Sequence, residues 1–423
     1  MLIALSIAAA VLATPTSPRL ARLSQEAGST PNAEAAFWEE VANSGSPLIE
    51  PVEGSPDEVL VTFLYRGADT TTNVVLIGGP KFTMRPNDNA FVKLAGTSVW
   101  YLSRSVRRDA RFTYKMSPNA DTTVFDMKKI ADVMRRFSAA ILDPLNPKAF
   151  PTSAAVPTVY RNSVVELPGA PQQPWVARND AAPSGTVDTA RITSAIMGNE
   201  RLLSIYSPPG YDPSRGPYRL LVVFDREAYL SLVPTPTILD NLTAAGKIRP
   251  HVAVFVGNPG ASRNAELPCN RKFADFLATE LIPWLRGRYA VTNKPEETTV
   301  AGSSYGGLAS TCAGLFHSEV FGNILSQSGS YWWPDSTKEA HEWVYRQFDQ
   351  AKLLPLRFYQ NVGLMEDGPT PGNGPSMVTA NRRLRDLLRS KGYWVHYAEF
   401  NGGHEYLNWQ GTLADGLIAL ARR

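Results

Sequence analysis

The sequence predicts an α/β domain with a largely parallel sheet, preceded by an all-β sandwich. Three observations lead there. Segments between Glu58 and Met116 alternate apolar and polar residues with period two. Beyond about residue 190, short apolar runs alternate with segments of helical periodicity. Between one such run and one such helix lies Gly302-Ser303-Ser304-Tyr305-Gly306-Gly307.

Composition sets the bounds. At roughly 100–200 residues per domain, 423 residues suggest two or three domains. A hydrophobic fraction of 43% with 19% charged residues leaves ample material for a core. The 31 Gly and 33 Pro are aperiodic, which excludes a collagen-like chain. The 42 basic residues against 39 acidic ones contain no run of like charge, which argues against nucleic acid as a partner. Two cysteines, Cys269 and Cys312, exclude a disulfide scaffold and a Cys-based zinc site, and are read as free or buried thiols. No metal or cofactor is expected.

Residues 1–13 (MLIALSIAAAVLA) are too short an apolar stretch to span a bilayer and fit a signal peptide's h-region, although no Lys or Arg precedes them. Export to the periplasm or beyond is the expectation; the alternative is an apolar N-terminal helix of a cytoplasmic protein. Residues 30–165 are assigned to the sandwich. In Glu58–Tyr65, Val59, Val61, Phe63 and Tyr65 share a face; Thr97–Ser103 and Arg111–Met116 also alternate. Asp143-Pro-Leu-Asn-Pro147 cannot be regular structure and is read as the exit from the sandwich. Residues 166–190, rich in Pro, Gly, Gln and Ala, read as a linker.

Residues 191–423 form the second domain. Arg201–Tyr206, Arg219–Phe224, His251–Val256, Thr298–Ala301, Asn323–Ser326, Arg357–Val362 and Trp394–Phe400 are expected strands, and Lys272–Leu285 and Val378–Leu388 helices. A strand, then G-x-S-x-G, then a helix is the setting of a nucleophile elbow, so the expectation sharpens to the α/β-hydrolase fold with Ser304 as nucleophile. Ser303 sits one step off that register.

A serine nucleophile needs a base. Of five histidines, His251 begins a core strand, His317 ends the post-elbow helix, His341 lies in a polar helical stretch and His396 sits inside the last strand. His404 follows that strand in Asn401-Gly-Gly-His-Glu405, a loop able to reach back over the sheet. The acid falls between serine and histidine in such chains. Glu366 is the first choice and Asp367 the second, with Asp335 a distant third. The oxyanion hole is assigned to the amide of Tyr305 and to an amide at Asp225-Arg226-Glu227, Arg226 being preferred. Asp225, Arg263 and Glu266 are candidate substrate-binding residues. For Asp225 the alternative is a turn former, and for Arg263 a surface salt bridge with Glu266.

Taken together, Asp143-Pro-Leu-Asn-Pro147, Tyr206-Ser-Pro-Pro-Gly-Tyr-Asp212, Phe224-Asp225, Arg263-x-x-Glu266-Leu267, the elbow and Gly402-Gly403-His404 resemble the enterochelin (enterobactin) esterases. The resemblance covers most of the chain. It implies a serine esterase opening catecholate siderophores, free or ferric, with Ser304 and His404 as nucleophile and base and Glu366 where the family places its acid. It also implies that Arg263 faces the anionic substrate. Arg226 stands where the family commonly has Gly. A feruloyl or acetyl-xylan esterase, with Trp100 and Tyr101 of the sandwich as sugar platforms, is the alternative; a non-catalytic ligand-binding relative is a third reading.

Overall fold

The computed structural model describes residues 17–81, 83–125, 129–153, 155–334 and 340–422. The apolar stretch 1–13 and Asp335 lie outside the described residues. Among the described residues, no helix is long and apolar enough to cross a membrane.

Among the described residues the first domain has eight strands: β1 (Leu48–Pro51), β2 (Glu58–Arg66), β3 (Val74–Gly78), β4 (Val92–Lys93), β5 (Val99–Arg107), β6 (Arg111–Pro118), β7 (Ala149–Phe150) and β8 (Asn162–Glu166). They form two antiparallel sheets, β1-β2-β5-β4 and β3-β6-β8-β7. Val61 and Phe63 of one sheet meet Phe112, Tyr114 and Met116 of the other, as the period-two pattern requires. Phe63 and Tyr114 pack edge to face at 4.8 Å. Trp100 belongs to this core and is 9% exposed.

The sandwich is not purely β. Helices Pro18–Glu26 and Ala33–Ser44 cover the outer face of the first sheet, burying Leu64 and Val99 beneath Leu20, Phe37 and Trp38. The Asp143 turn lies inside the domain, because β7 and β8 follow it. Its carboxylate accepts from Ser46 Oγ at 2.8 Å and Tyr114 OH at 2.6 Å.

The second domain continues with β9 (Thr186–Ser194), β10 (Asn199–Ser207), β11 (Arg219–Val223), β12 (His251–Val256), β13 (Thr298–Ser303), β14 (Asn323–Gln327), β15 (Arg357–Gly363) and β16 (Trp394–Phe400). Their order is β16-β15-β14-β13-β11-β12-β10-β9. The five ladders linking β12, β11, β13, β14, β15 and β16 are parallel, whereas β10 pairs antiparallel with β9 and β12.

Helices cover both faces, which is why the central strands read as continuous apolar runs. Leu220, Val222 and Phe224 pack with Phe273, Phe276 and Leu277 on one side. Leu221 and Val223 pack with Ile238, Leu239 and Leu413 on the other. Several elements lay beyond the sequence pattern, among them the helix Thr235–Ala244, β9 and the closing helix. β9 starts inside the stretch read as linker; as an edge strand largely exposed to solvent it carries few apolar residues. The closing helix Tyr406–Ala421 begins at Glu405, which makes no side-chain cap.

Candidate active site

Four neighbouring parallel strands, β13 to β16, end at one edge of the sheet and deliver most of the expected site there. Ser304 follows β13 directly, with φ 58° and ψ −123°, a region costly for a residue with a Cβ. The turn closes only because its neighbours are glycines. A Cβ on Gly302 would lie 2.7–2.9 Å from Gly306 backbone, and one on Gly307 would lie 2.6 Å from Ser326 Oγ. The helix Tyr305–Phe316 starts at the next residue, so its positive end lies at the serine.

Glu366 follows β15 in a tight turn and is buried, at 8% exposure. Its Oε1 accepts from Gly363 N at 2.8 Å and Ser328 Oγ at 2.6 Å, and its Oε2 lies 2.6 Å from His404 Nδ1. That bond assigns the proton on the imidazole to Nδ1 and leaves Nε2 as the basic nitrogen. Asp367 is directed elsewhere: its Oδ1 accepts from Ser376 Oγ, which caps the helix Met377–Ser390. The structure therefore brings Glu366, and not Asp367, to His404.

His404 is partly open to solvent and packs edge-on against Trp409 at 4.8 Å. Trp409 Nε1 in turn donates to Ser328 Oγ at 3.1 Å. Among the described residues Ser304 Oγ has Ser330 Oγ as its hydrogen-bond partner, at 3.4 Å, and it is not bonded to His404. Ser328, Ser330 and Trp409 escaped the sequence reading; no motif marks them, and only the convergence of strand ends brings them in.

The other histidines have structural partners. His251 Nδ1 lies 2.6 Å from Arg249 O, and burial pushes its pKa down to about 4. His317 sits between Asp275 and Glu319, His341 between the carbonyls of Pro334 and Gly372, and His396 stacks on Tyr359.

The oxyanion candidates occupy equivalent places. Tyr305 opens the helix after β13, and Arg226 opens the helix Arg226–Ser231 after the adjacent strand β11. Between β11 and Arg226, Asp225 adopts a left-handed conformation with φ 54°. Its two carboxylate oxygens receive Arg263 Nε at 2.5 Å and Nη2 at 2.8 Å. Burial alone would lower the Arg263 pKa; the bond to and charge of Asp225 outweigh it and hold that pKa above the ordinary value.

Two expectations are corrected here. Arg263 pairs with Asp225 rather than with Glu266, and this pairing commits two of its nitrogens. Glu266 is not placed to bind substrate: it is 4% exposed, its oxygens lie 3.0 and 3.1 Å from the buried Arg201 guanidinium, and Asn258 takes a further position. A carboxylate so enclosed stays buried because it is paired.

A third correction concerns the cysteines. Cys269 and Cys312 form a disulfide, with Cα atoms 5.3 Å apart. It joins the loop after Arg263–Glu266 to the middle of the elbow helix.

The sandwich reaches the same edge. Thr113 N donates to Glu405, and burial pushes the Glu405 carboxyl up to about 7, the charge of Glu366 adding and the Thr113 bonds opposing. Between the domains lies a cavity of about 530 Å³ lined by Lys81, Thr83, Arg85 and Asp88 on one side and Leu364, Met365 and Asp367 on the other.

Comparison with known proteins yields a consistent set. An esterase family profile matches residues 194–420, and the profile of the enterochelin esterase N-terminal domain matches residues 60–176. The iron(III) enterobactin esterase of Dickeya dadantii is 30% identical over 92% of this chain and 93% of its own. The crystal structure of the enterobactin esterase from Shigella flexneri in the presence of enterobactin superposes with a TM-score of 0.70, at 26% identity, over 91% of this chain and 97% of that one. The ferric enterobactin esterase of Salmonella typhimurium gives 0.73 at 26% identity, over 91% and 98%.

Proposed function

The chain belongs to the enterochelin esterase family and is a hydrolase acting on esters, and from that premise we propose that it opens the ester bonds of a catecholate siderophore through Ser304, His404 and Glu366. The observation that carries the reading is the 2.6 Å bond between Glu366 and His404, held at the sheet edge where the strained Ser304 elbow ends.

In this mechanism His404 Nε2 takes the Ser304 proton as Oγ attacks the ester carbonyl. The resting hydroxyl turns from Ser330 to the imidazole when substrate binds, since catalytic hydrogen bonds commonly tighten only in the complex. Glu366 holds the Nδ1 proton and stabilises the imidazolium. The amides of Tyr305 and Arg226 hold the oxyanion. His404 returns the proton to the departing alkoxide, then deprotonates the water that frees the serine.

Arg263 braces Asp225 and thereby the turn that presents the Arg226 amide. Lys81 pairs with Asp88 at 4.0 Å, so Arg85, lining the cavity beside the Glu366 loop, is the side chain that supplies positive charge for an anionic ferric catecholate. Trp100 is packed inside the sandwich and Tyr101 is partly buried against the N-terminal helices, which weighs against the polysaccharide reading. The disulfide favours an oxidising compartment, supporting export.

The test is a panel of ferric and free enterobactin, methyl ferulate and acetylated xylan. Preferential turnover of the siderophore, abolished by Ser304→Ala, is expected. Preference for methyl ferulate or xylan overturns the substrate assignment, and full activity in Ser304→Ala overturns the mechanism.

A further inference from the structure

Strand β6 has an incomplete edge. On one side it pairs with β8 over Arg111–Tyr114; on the other, β3 covers it only from Tyr114 to Pro118, ending at Gly78. Past that end Gly79 N still donates to Thr113 O at 2.9 Å, which leaves the amides of Arg111 and Thr113 and the Arg111 carbonyl without a partner on the β3 side, an edge that folded proteins ordinarily cover. Here it is covered by the loop that carries His404. Arg111 N donates to Asn401 O at 2.8 Å, and Asn408 Nδ2 donates back to Arg111 O at 3.1 Å. Thr113 N donates to Glu405 Oε2 at 3.0 Å, and Thr113 Oγ1 donates to the same carboxylate. Asn401 Nδ2 donates to Asp109 Oδ1 at 2.7 Å. The approach is close enough that a Cβ on Gly402 would lie 2.7 Å from Arg111 O.

Glu405 stands at the N-cap of the closing helix, yet its side chain makes no cap and goes to Thr113 instead. A residue adjacent to His404 is thus anchored by a strand 292 residues earlier in the chain.

We propose that the edge of β6 that β3 leaves open is a rail on which the His404 loop is moulded, with Glu405 as the positioning residue that fixes the imidazole against Glu366 and Ser304. The sandwich then contributes to turnover of every ester, not only to siderophore binding. Misplacing a reacting group by about 1 Å costs up to about 100-fold in rate, so loss of the anchor acts on kcat.

The inference rests on His404 as base, so His404→Ala is assayed beside the test variants on the full chain, with ferric enterobactin and p-nitrophenyl acetate. Glu405→Ala is expected to lower kcat at least about tenfold on both substrates while KM stays within about twofold. Glu405→Gln restores most of that loss, because its amide oxygen still accepts from Thr113. Thr113→Val, which removes only the hydroxyl, gives a smaller drop of the same kind and serves if Glu405→Ala does not fold. Unchanged kcat in Glu405→Ala, or in Thr113→Val if it must stand in, overturns the proposal. So does a loss confined to KM for the ferric siderophore, or a Gln variant as impaired as the Ala variant. Activity persisting in His404→Ala would instead sink the base assignment, and the two failures are told apart in one experiment.

Discussion

Removing the Cys269–Cys312 disulfide tests how the site's two loops are held together. The bond closes a loop with a sequence separation of 43 residues. Chain entropy for such a loop gives ΔS of about −13 cal/mol/K, or about 4 kcal/mol at 25 °C. For a domain of this size about 1 kcal/mol moves Tm by roughly 2–4 °C, so the double variant Cys269→Ser/Cys312→Ala should melt roughly 8–16 °C lower. Urea unfolding followed by tryptophan fluorescence provides the free-energy change, and calorimetry the Tm. The bond ties the Arg263 loop to the elbow helix, so kcat at 25 °C should fall in the same variant while the fold persists. A loss under about 1 kcal/mol would refute the entropic reasoning, and unchanged kcat would refute the claim that the bond fixes the Arg263 loop.

Further outcomes follow from the same geometry. Glu366→Ala should lower kcat by roughly 10²–10⁴, because His404 loses its orienting partner, whereas Asp367→Asn should stay within about twofold of wild type; steady-state kinetics of the pair decides which carboxylate acts. Arg85→Glu should raise KM for ferric enterobactin with little effect on a small neutral ester, and equal effects on both would remove the cavity from substrate binding. His251 is depressed from 6.5 to about 4 by burial. The unfolded chain binds the proton that the folded one refuses, so this residue's contribution is present above pH 6.5 and is lost as pH falls towards 4. Denaturation midpoints measured from pH 4 to 7 should slope accordingly, and a His251→Gln variant that still folds should flatten the slope.

What could be read from the chain in advance was local. Val59, Val61, Phe63 and Tyr65 advertise their shared face within eight residues, and the elbow carries its strand, turn and helix in one contiguous stretch. Glu366 and Asp367 were separable only in space: adjacent in sequence, one turns inward to His404 and Ser328, the other outward to Ser376. Pairings between distant segments left no trace. Cys269 and Cys312 look like two unrelated thiols until the loop folds onto the elbow helix. The Arg201 partner that removes Glu266 from the site comes from a strand 65 residues earlier. β9 hid for a different reason. An edge strand whose residues mostly face water has little apolar pattern to show, and its order comes from the ladder with β10.

The central claim is that Ser304 is acylated by the substrate with His404 as its base. Mass spectrometry of the enzyme quenched during turnover, or trapped with an aryl phosphonate, tests it directly. The account predicts one covalent adduct on the peptide containing Ser304, absent in Ser304→Ala and formed at least about 100-fold more slowly in His404→Ala. An adduct on any other residue, or trapping at the full rate without the imidazole, would contradict it.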